Sequence, residues 1–548
     1  MTTVSHGRTS VLVLVPLFLA VLAVTSPLGN FPLNDDWSYG QAVQNFVRNH
    51  EYRLSGWTSM PLLTQVLWGT LFSLPRGFSF TALRFSTLFL ALATLLGVLF
   101  SVRRKQDPLF PAMLAPLVLL FNPVYLNLSH TFMTDVPFIA FMLGSTVLLT
   151  EGAERGNKAL LTLGVCLALL AALLRQTGVL IPAAFGIGYL ARGRAGTRRV
   201  LLAAGFFLLT VAAFVAYARW LTVTGRLPSG YYAQTRQMLA TLQSGLPAVA
   251  HRIVGSMLVT YTYVGLFTLP LGLLFFNPAN WRRLAVLVAV SAALLALAQV
   301  LHVGFAGNIL SDRGVGAFTL AHSAAFPPFT GSPASKVVLG ILALAGGALL
   351  LELLVRILRS VRSSFPATFC LSLACLCFVS LLLVQQFDRY ALIYLPLLAI
   401  PAFAELRALR PAKAAVAAAF SVLLLYAGFS VSAVHDYLAW NRTRWQAISY
   451  LTHDLRIPVD KLDGGFEFNG MYTYSDDYVR NPNKSPWWVR DNEYVVAFDR
   501  LPGVRRAQGV PGEDLASGRH QVHLRAQTRP ARANPPMRPP GPVTDRSL

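Results

Sequence analysis

Thirteen apolar stretches, each roughly 15–23 residues long, occupy most of the first 432 residues of this 548-residue chain. They lie near 10–27, 85–102, 109–126, 136–150, 159–174, 177–191, 200–220, 253–275, 284–301, 337–355, 366–384, 390–406 and 413–432. A bilayer core of about 30 Å is crossed by about 20 apolar residues in a helix. Hydrocarbon offers no partner to an open backbone N–H or C=O, so only helices or closed barrels cross it. Runs of this length predict an all-α polytopic membrane protein with about 13 transmembrane helices. Only 13% of residues are charged, about half the share of a soluble protein.

The net charge of +22 does not indicate a nucleic-acid partner. Most of the basic residues sit in short turns between apolar runs, such as Arg103-Arg-Lys105, Arg192–Arg199, Arg356–Arg362 and Arg407–Lys413. Alternation of the spans puts these turns on one side, which the positive-inside rule makes cytoplasmic. The N-terminus is then cytoplasmic and the C-terminus external. The chain is expected to be integral to a membrane. The first apolar run lacks an A-x-A-like cleavage site and reads as a span rather than a signal peptide. Cys166, Cys370, Cys375 and Cys377 all lie in apolar runs and read as small buried hydrophobes.

The longer connections, 28–84, 127–135, 221–252, 302–336 and 385–389, fall on the opposite side. Long loops in compact proteins tend to carry function. Within the first of them, Met60–Trp68 reads as a helix lying in the interface. Beyond residue 432 the composition becomes more polar. Residues 433–528 predict a small extramembrane α+β domain, with a strand at Tyr494–Phe498. Residues 529–548, rich in Pro and Arg, predict a disordered tail. Trp487-Trp488 either docks that domain on the membrane or forms part of its core.

The outer side also gathers ionisable groups. Asp35 and Asp36 follow the first span, and Asp135 opens the fourth. An acidic residue at a helix start is an ordinary cap, and Asp135 followed by Pro137 is an ordinary helix start. Arg175 and Arg389 stand near span ends, where arginines also snorkel. His130, His302 and His322 share this side, but their spacing does not require a metal.

Taken in order, these residues resemble the motifs of the GT-C class of polyprenyl-phosphate-sugar-dependent glycosyltransferases, which includes protein O-mannosyltransferases and the lipid A aminoarabinose transferase. Asp35-Asp-Trp-Ser-Tyr-Gly40 is similar to the class's D-E-x-x-Y/F element, with Asp36 in place of Glu. Pro61-Leu62 resembles its Pro-Pro-Leu element, with Met60 replacing the first Pro. Arg84, Thr134-Asp-Val-Pro137, Leu174-Arg-Gln-Thr-Gly178 and Asp388-Arg-Tyr390 resemble later elements. The likeness covers roughly residues 10–432.

The resemblance implies transfer of a sugar from a polyprenyl-phosphate donor to a hydroxyl of a protein, lipid A or other envelope glycan, with inversion, at the outer face of a bacterial inner membrane. A hydroxyl needs a base within reach of its proton. Asp35 is expected in that role, with Asp36 and Asp135 as further catalytic carboxylates. Asp135 would orient the acceptor, position Asp35 or help to bind a divalent metal. The leaving phosphate needs positive charge, and guanidinium matches it with bidentate geometry. Arg389 is the first choice, followed by Arg175, with Tyr390 beside them. Tyr39, His130, Asp312 and Arg313 are expected to line the acceptor cavity. A transporter or lipid flippase, the rival reading, would place ionisable groups in mid-span. A noncatalytic scaffold gives no reason for Asp35, Asp135 and Arg389 to converge.

Overall fold

A computed structural model describes residues 5–102, 109–192, 196–303, 309–310, 333–361, 364–409, 411–480, 487–491, 493–497, 505–514 and 518–526. Every predicted apolar stretch falls on a helix. In order these are α1 (Ser5–Thr25), then two helices of the first loop, α2 (Asp36–Asn49) and α3 (Leu63–Ser73), then α4 (Phe80–Val102), α5 (Leu109–Leu120) and α6 (Pro123–Ser129). Next come α7 (Asp135–Arg155), α8 (Lys158–Ala172), α9 (Leu180–Ala191), α10 (Thr197–Val223), the loop helix α11 (Ala233–Gln243), α12 (Leu246–Leu273) and α13 (Trp281–Val300). The chain continues with α14 (Pro333–Ser360), α15 (Phe365–Leu381), α16 (Tyr394–Leu409), α17 (Lys413–Ser449) and α18 (Phe466–Thr473).

The count of crossings is coarser than the expected 13. Among the described residues eight helices are long and apolar enough to cross a membrane, or nine if the bent pair α5–α6 is one span. Four more apolar helices, at Thr9–Thr25, Lys158–Ala172, Gln176–Ala191 and Phe365–Leu381, fall below that length. The 62° bend between α5 and α6 has a local cause. Pro123 donates no N–H and disfavours helical geometry at Asn122, which sits at φ −68°, ψ 124°. The Asn122 side chain then caps the new helix by accepting from Val124 N and Tyr125 N.

Close helix approach depends on small residues. A Cβ on Gly346 of α14 would meet the Gly265 carbonyl of α12, so glycine at both positions lets these helices touch backbone to backbone. The helix expected at Met60–Trp68 is present as α3. Its eleven residues span about 16 Å, too short to cross. Its polar groups turn inward: Thr64 Oγ1 donates to Leu170 O and Gln65 Nε2 to Phe132 O. Leu67, Leu71 and Leu74 are exposed instead. Cys370 and Cys377 are buried, but Cys166 and Cys375 are exposed on apolar helices, contrary to the expectation for all four. Periodicity was too weak there to tell the protein-facing side from the other.

After residue 432 the backbone does not break. Helix α17 runs on to Ser449, so the shift in composition at 433 falls inside a continuous helix. Strands β1 (Leu462–Asp463), β2 (Tyr494–Ala497), β3 (Arg505–Asp514) and β4 (Gly518–Ala526) follow. They form one sheet in the order β1-β2-β4-β3, parallel only between β1 and β2. The expected strand at Tyr494–Phe498 is β2. The tail at 529–548 lies outside the described residues.

Candidate functional site

The site forms where α2, α7 and two 3-10 turns meet, Gln176–Val179 before α9 and Asp388–Ile393 before α16. Asp135 sits in the first turn of α7 and is 2% exposed. Arg175 Nη1 donates to its Oδ1 at 2.8 Å, and Arg389 Nη1 lies 3.6 Å from its Oδ2. One carboxylate therefore holds two guanidiniums together. The Tyr390 ring lies beneath both, each cationic carbon 5.7 Å from the ring centre, and Phe387 packs on Arg389 at 5.2 Å. Arg389 does not pair with its neighbour Asp388. That carboxylate accepts from Ile309 N and Leu310 N instead and anchors the 309–310 segment. Arg389 Nε is buried with no hydrogen-bond partner among the described residues.

Asp35 precedes α2 and is half-buried. Trp57 Nε1 donates to its Oδ1 at 3.0 Å. Asp35 lies within electrostatic reach of Arg389 and of Tyr39. Burial, then the charge of Asp35, holds the Tyr39 phenol protonated far above its ordinary range. The same phenol feels Asp135, Arg389 and Arg175. Asp35, Tyr39, Asp135, Arg175, Arg389 and Tyr390 thus form one cluster, drawn from positions up to 355 residues apart.

Asp36 does not face this cluster. Its side chain is buried and accepts Phe132 N at 2.8 Å and Leu33 N at 3.3 Å. It staples the start of α2 to the segment that leads into α7. Burial pushes its carboxyl up to about 8, against the downward pulls of the Phe132 N–H, Arg84 and the Leu33 N–H. The folded protein therefore binds more protons than the unfolded chain from about pH 4 to about pH 8. Stability from this group is complete below that window and falls as pH rises through it. We expect the melting temperature of the wild type to fall between pH 5 and pH 8 relative to that of Asp36→Asn, which cannot titrate. A constant difference in paired thermal melts would contradict this.

His130 is fully buried, with Nε2 2.8 Å from Thr25 Oγ1 and Nδ1 2.8 Å from Leu126 O. Both ring nitrogens are occupied, and burial lowers its pKa to about 4. It is a neutral packing histidine and does not line an acceptor cavity. Asp312, Arg313 and His322 lie outside the described residues. Arg84 is also buried and donates to the carbonyls of His130, Pro27, Gly29 and Phe31, so it ties the segment before Asp35 to His130.

A divalent cation does not fit the described donors. Both oxygens of Asp36 accept backbone N–H groups, and Asp135 faces two guanidiniums, which leaves Asp35 alone. Among the described residues no three His, Cys, Asp or Glu side chains cluster.

Sequence reasoning missed the contribution of the C-terminal segment. Glu467 of α18 accepts Arg444 Nη2 at 2.8 Å and Asn34 N at 3.1 Å. Asn34 is held at φ 54°, a left-handed conformation that Asn tolerates, directly before Asp35. Trp487 and Trp488 pack on Trp57, and Trp488 also packs on Trp37. Gly470 makes room for Trp37, since a Cβ there would strike the indole. The tryptophan pair therefore joins the C-terminal segment to the loop that bears Asp35. Glu467→Gln is expected to cost about 1.5–3 kcal/mol, as for a hydrogen bond to a charged group. Calorimetry would show it as a lower melting temperature, and an unchanged value would remove Glu467 from the support of Asp35. The spacing of Arg444 and Glu467 across a chain turn carried no sequence signal.

A cavity of about 810 Å³ lies away from this cluster. It opens among Glu151, Arg192 and Arg407 at the end marked by the basic turns, on the order of 25 Å along α7 from Asp135.

Residues 60–222 match the family model described as dolichyl-phosphate-mannose-protein mannosyltransferase. The match includes Asp135 and Arg175 and supports the glycosyltransferase class that the sequence motifs resemble. Among solved structures, the chain is similar to ArnT from Cupriavidus metallidurans in the apo state, at 15% identity and a TM-score of 0.41, over 71% of this chain and 59% of that one. It is similar to the same protein bound to undecaprenyl phosphate, at 14% identity and a TM-score of 0.43, over 81% and 72% of the two chains. An Archaeoglobus fulgidus oligosaccharyltransferase tethered to an acceptor peptide is similar at 14% identity and a TM-score of 0.38, over 81% and 58%. No curated protein matches the chain.

Proposed function

We propose that this protein is a membrane glycosyltransferase that moves a sugar from a polyprenyl-phosphate donor to an acceptor hydroxyl. The observation that carries this reading is Arg389. Its Nε is a buried donor without a partner among the described residues, in a cluster with Arg175 and within electrostatic reach of Asp35. A buried unpaired donor is costly, and a phosphate oxygen would satisfy it with charge assistance.

The acceptor oxygen attacks the anomeric carbon and its proton passes to Asp35. The bond from that carbon to the phosphate oxygen breaks, and both of its electrons leave with the phosphate. The departing anion needs no proton from an acid, unlike the leaving group of an ordinary glycoside hydrolase. Arg389 and Arg175 stabilise its charge, and Asp135 holds the two guanidiniums together. Attack opposite the leaving group inverts the anomeric centre. Read as cytoplasmic, the basic turns support a cluster on the outer face, and the location we propose is a bacterial inner membrane, with a protein or a glycolipid as the acceptor.

Reconstituted protein tests this directly. Proteoliposomes are supplied with labelled polyprenyl-phosphate sugars or with the same sugars as nucleotide conjugates, and with an envelope extract as acceptor. Transfer from the lipid donor alone is expected. Transfer from the nucleotide sugar alone, or movement of the intact donor across the bilayer without transfer, would overturn the reading.

A further inference from the structure

A second cavity, about 540 Å³, opens between α2, the turn before α4, the end of α17 and α18. Its size falls within the roughly 300–1,000 Å³ of small-molecule sites. Tyr472 offers it an exposed aromatic face, Ile457 and Val459 add aliphatic wall, and Asn30, Gln44 and Arg48 give it a polar rim. Gln44 and Arg48 stand one turn apart on α2, facing the same way. Gln41 Nε2 donates to Met471 O at 2.9 Å and ties α2 to α18, so the two walls form one unit. Trp445 Nε1 is buried with no hydrogen-bond partner among the described residues.

We propose that this cavity binds a saccharide, as a subsite for the carbohydrate part of an acceptor. A sugar ring has apolar C–H faces and a hydroxyl edge. Aromatic faces take the first, and amide and guanidinium N–H groups take the second. A phosphate headgroup would need clustered cations, and the lining offers Arg48 and His453. The amides of Asn30 and Gln44 and the hydroxyls of Ser449 and Thr452 favour neutral hydroxyls over it. Helix α2 links the cavity to the reaction cluster, with Tyr39 near one end and Gln44 and Arg48 near the other. The rise from Tyr39 to Arg48 is about 14 Å, a distance that an oligosaccharide spans and a lone hydroxyl does not. The role as an acceptor subsite rests on the transferase reading, whereas saccharide binding does not.

Saturation-transfer NMR on the full chain in nanodiscs tests the proposal, with mannotetraose and maltotetraose as probes. Saturation of the protein should pass to ring protons of at least one tetrasaccharide. Tyr472→Ala and Arg48→Ala, both at exposed positions, should each reduce it several-fold, and Asp35→Asn should retain it. Binding that persists in a protein incapable of transfer would sustain this site while removing the transferase reading. Absence of signal from both probes, or equal signal in both cavity variants, would overturn the proposal. Displacement of the sugar by dihexanoyl-phosphatidylglycerol, with lipid binding weakened in Arg48→Ala, would overturn it in favour of a headgroup site.

Discussion

Asp35→Asn should lower transfer by about 10²–10⁴-fold, the usual contribution of a positioned base, with the fold intact. The amide keeps the shape of the carboxylate and still accepts the Trp57 indole N–H through its oxygen. It cannot take a proton from the acceptor. The loss should therefore fall on kcat rather than on the donor KM, since Arg389 and Arg175 are untouched. Kinetics in proteoliposomes at several pH values would check this, beside melting curves that show equal stability. Equal kcat in the two proteins would remove Asp35 from the chemistry.

Asp135→Ala should be the most disruptive change to the fold of the site, costing about 3–5 kcal/mol as for the loss of one partner of a buried ion pair. Arg175 is only 14% and Arg389 12% exposed, and both lose their shared anion. Asp135→Asn is the milder companion. It keeps the 2.8 Å contact to Arg175 through its oxygen but places an amide group toward Arg389. Melting should show a large drop for Ala and a smaller one for Asn. Donor binding should weaken in both, because the guanidiniums lose their alignment. A melting temperature unchanged in Asp135→Ala would mean that this carboxylate does not hold the pair.

Much of the fold was legible because membrane burial writes itself into composition. Each apolar stretch became helix, whereas the bend at Pro123 between α5 and α6 falls inside 109–126, which reads as one span in the sequence. The number of crossings was less legible. Helices such as α8 and α15 carry the right residues but are short, and length against the bilayer is a property of packing as well as of sequence. The cluster of Asp35, Asp135, Arg175 and Arg389 was readable from motif order.

The separate duties within the cluster were not readable. Asp35 and Asp36 are adjacent and chemically identical. Their difference arises because α2 begins between them and turns one carboxylate to the Phe132 and Leu33 N–H groups, the other toward Trp57. His130 looked like a loop histidine until Thr25 and Leu126 closed around both nitrogens.

What the sequence by itself determined is the helical, membrane-embedded character of the chain, which follows from local composition, while its candidate site residues came from the order of motifs that resemble the GT-C class. Only the tertiary structure decided which carboxylate faces the arginines, that Asp135 serves as their clamp, and that Arg444 and Glu467 of the C-terminal segment hold Asn34 beside Asp35. Those outcomes depend on side-chain direction and on contacts between positions hundreds of residues apart, which no local pattern encodes.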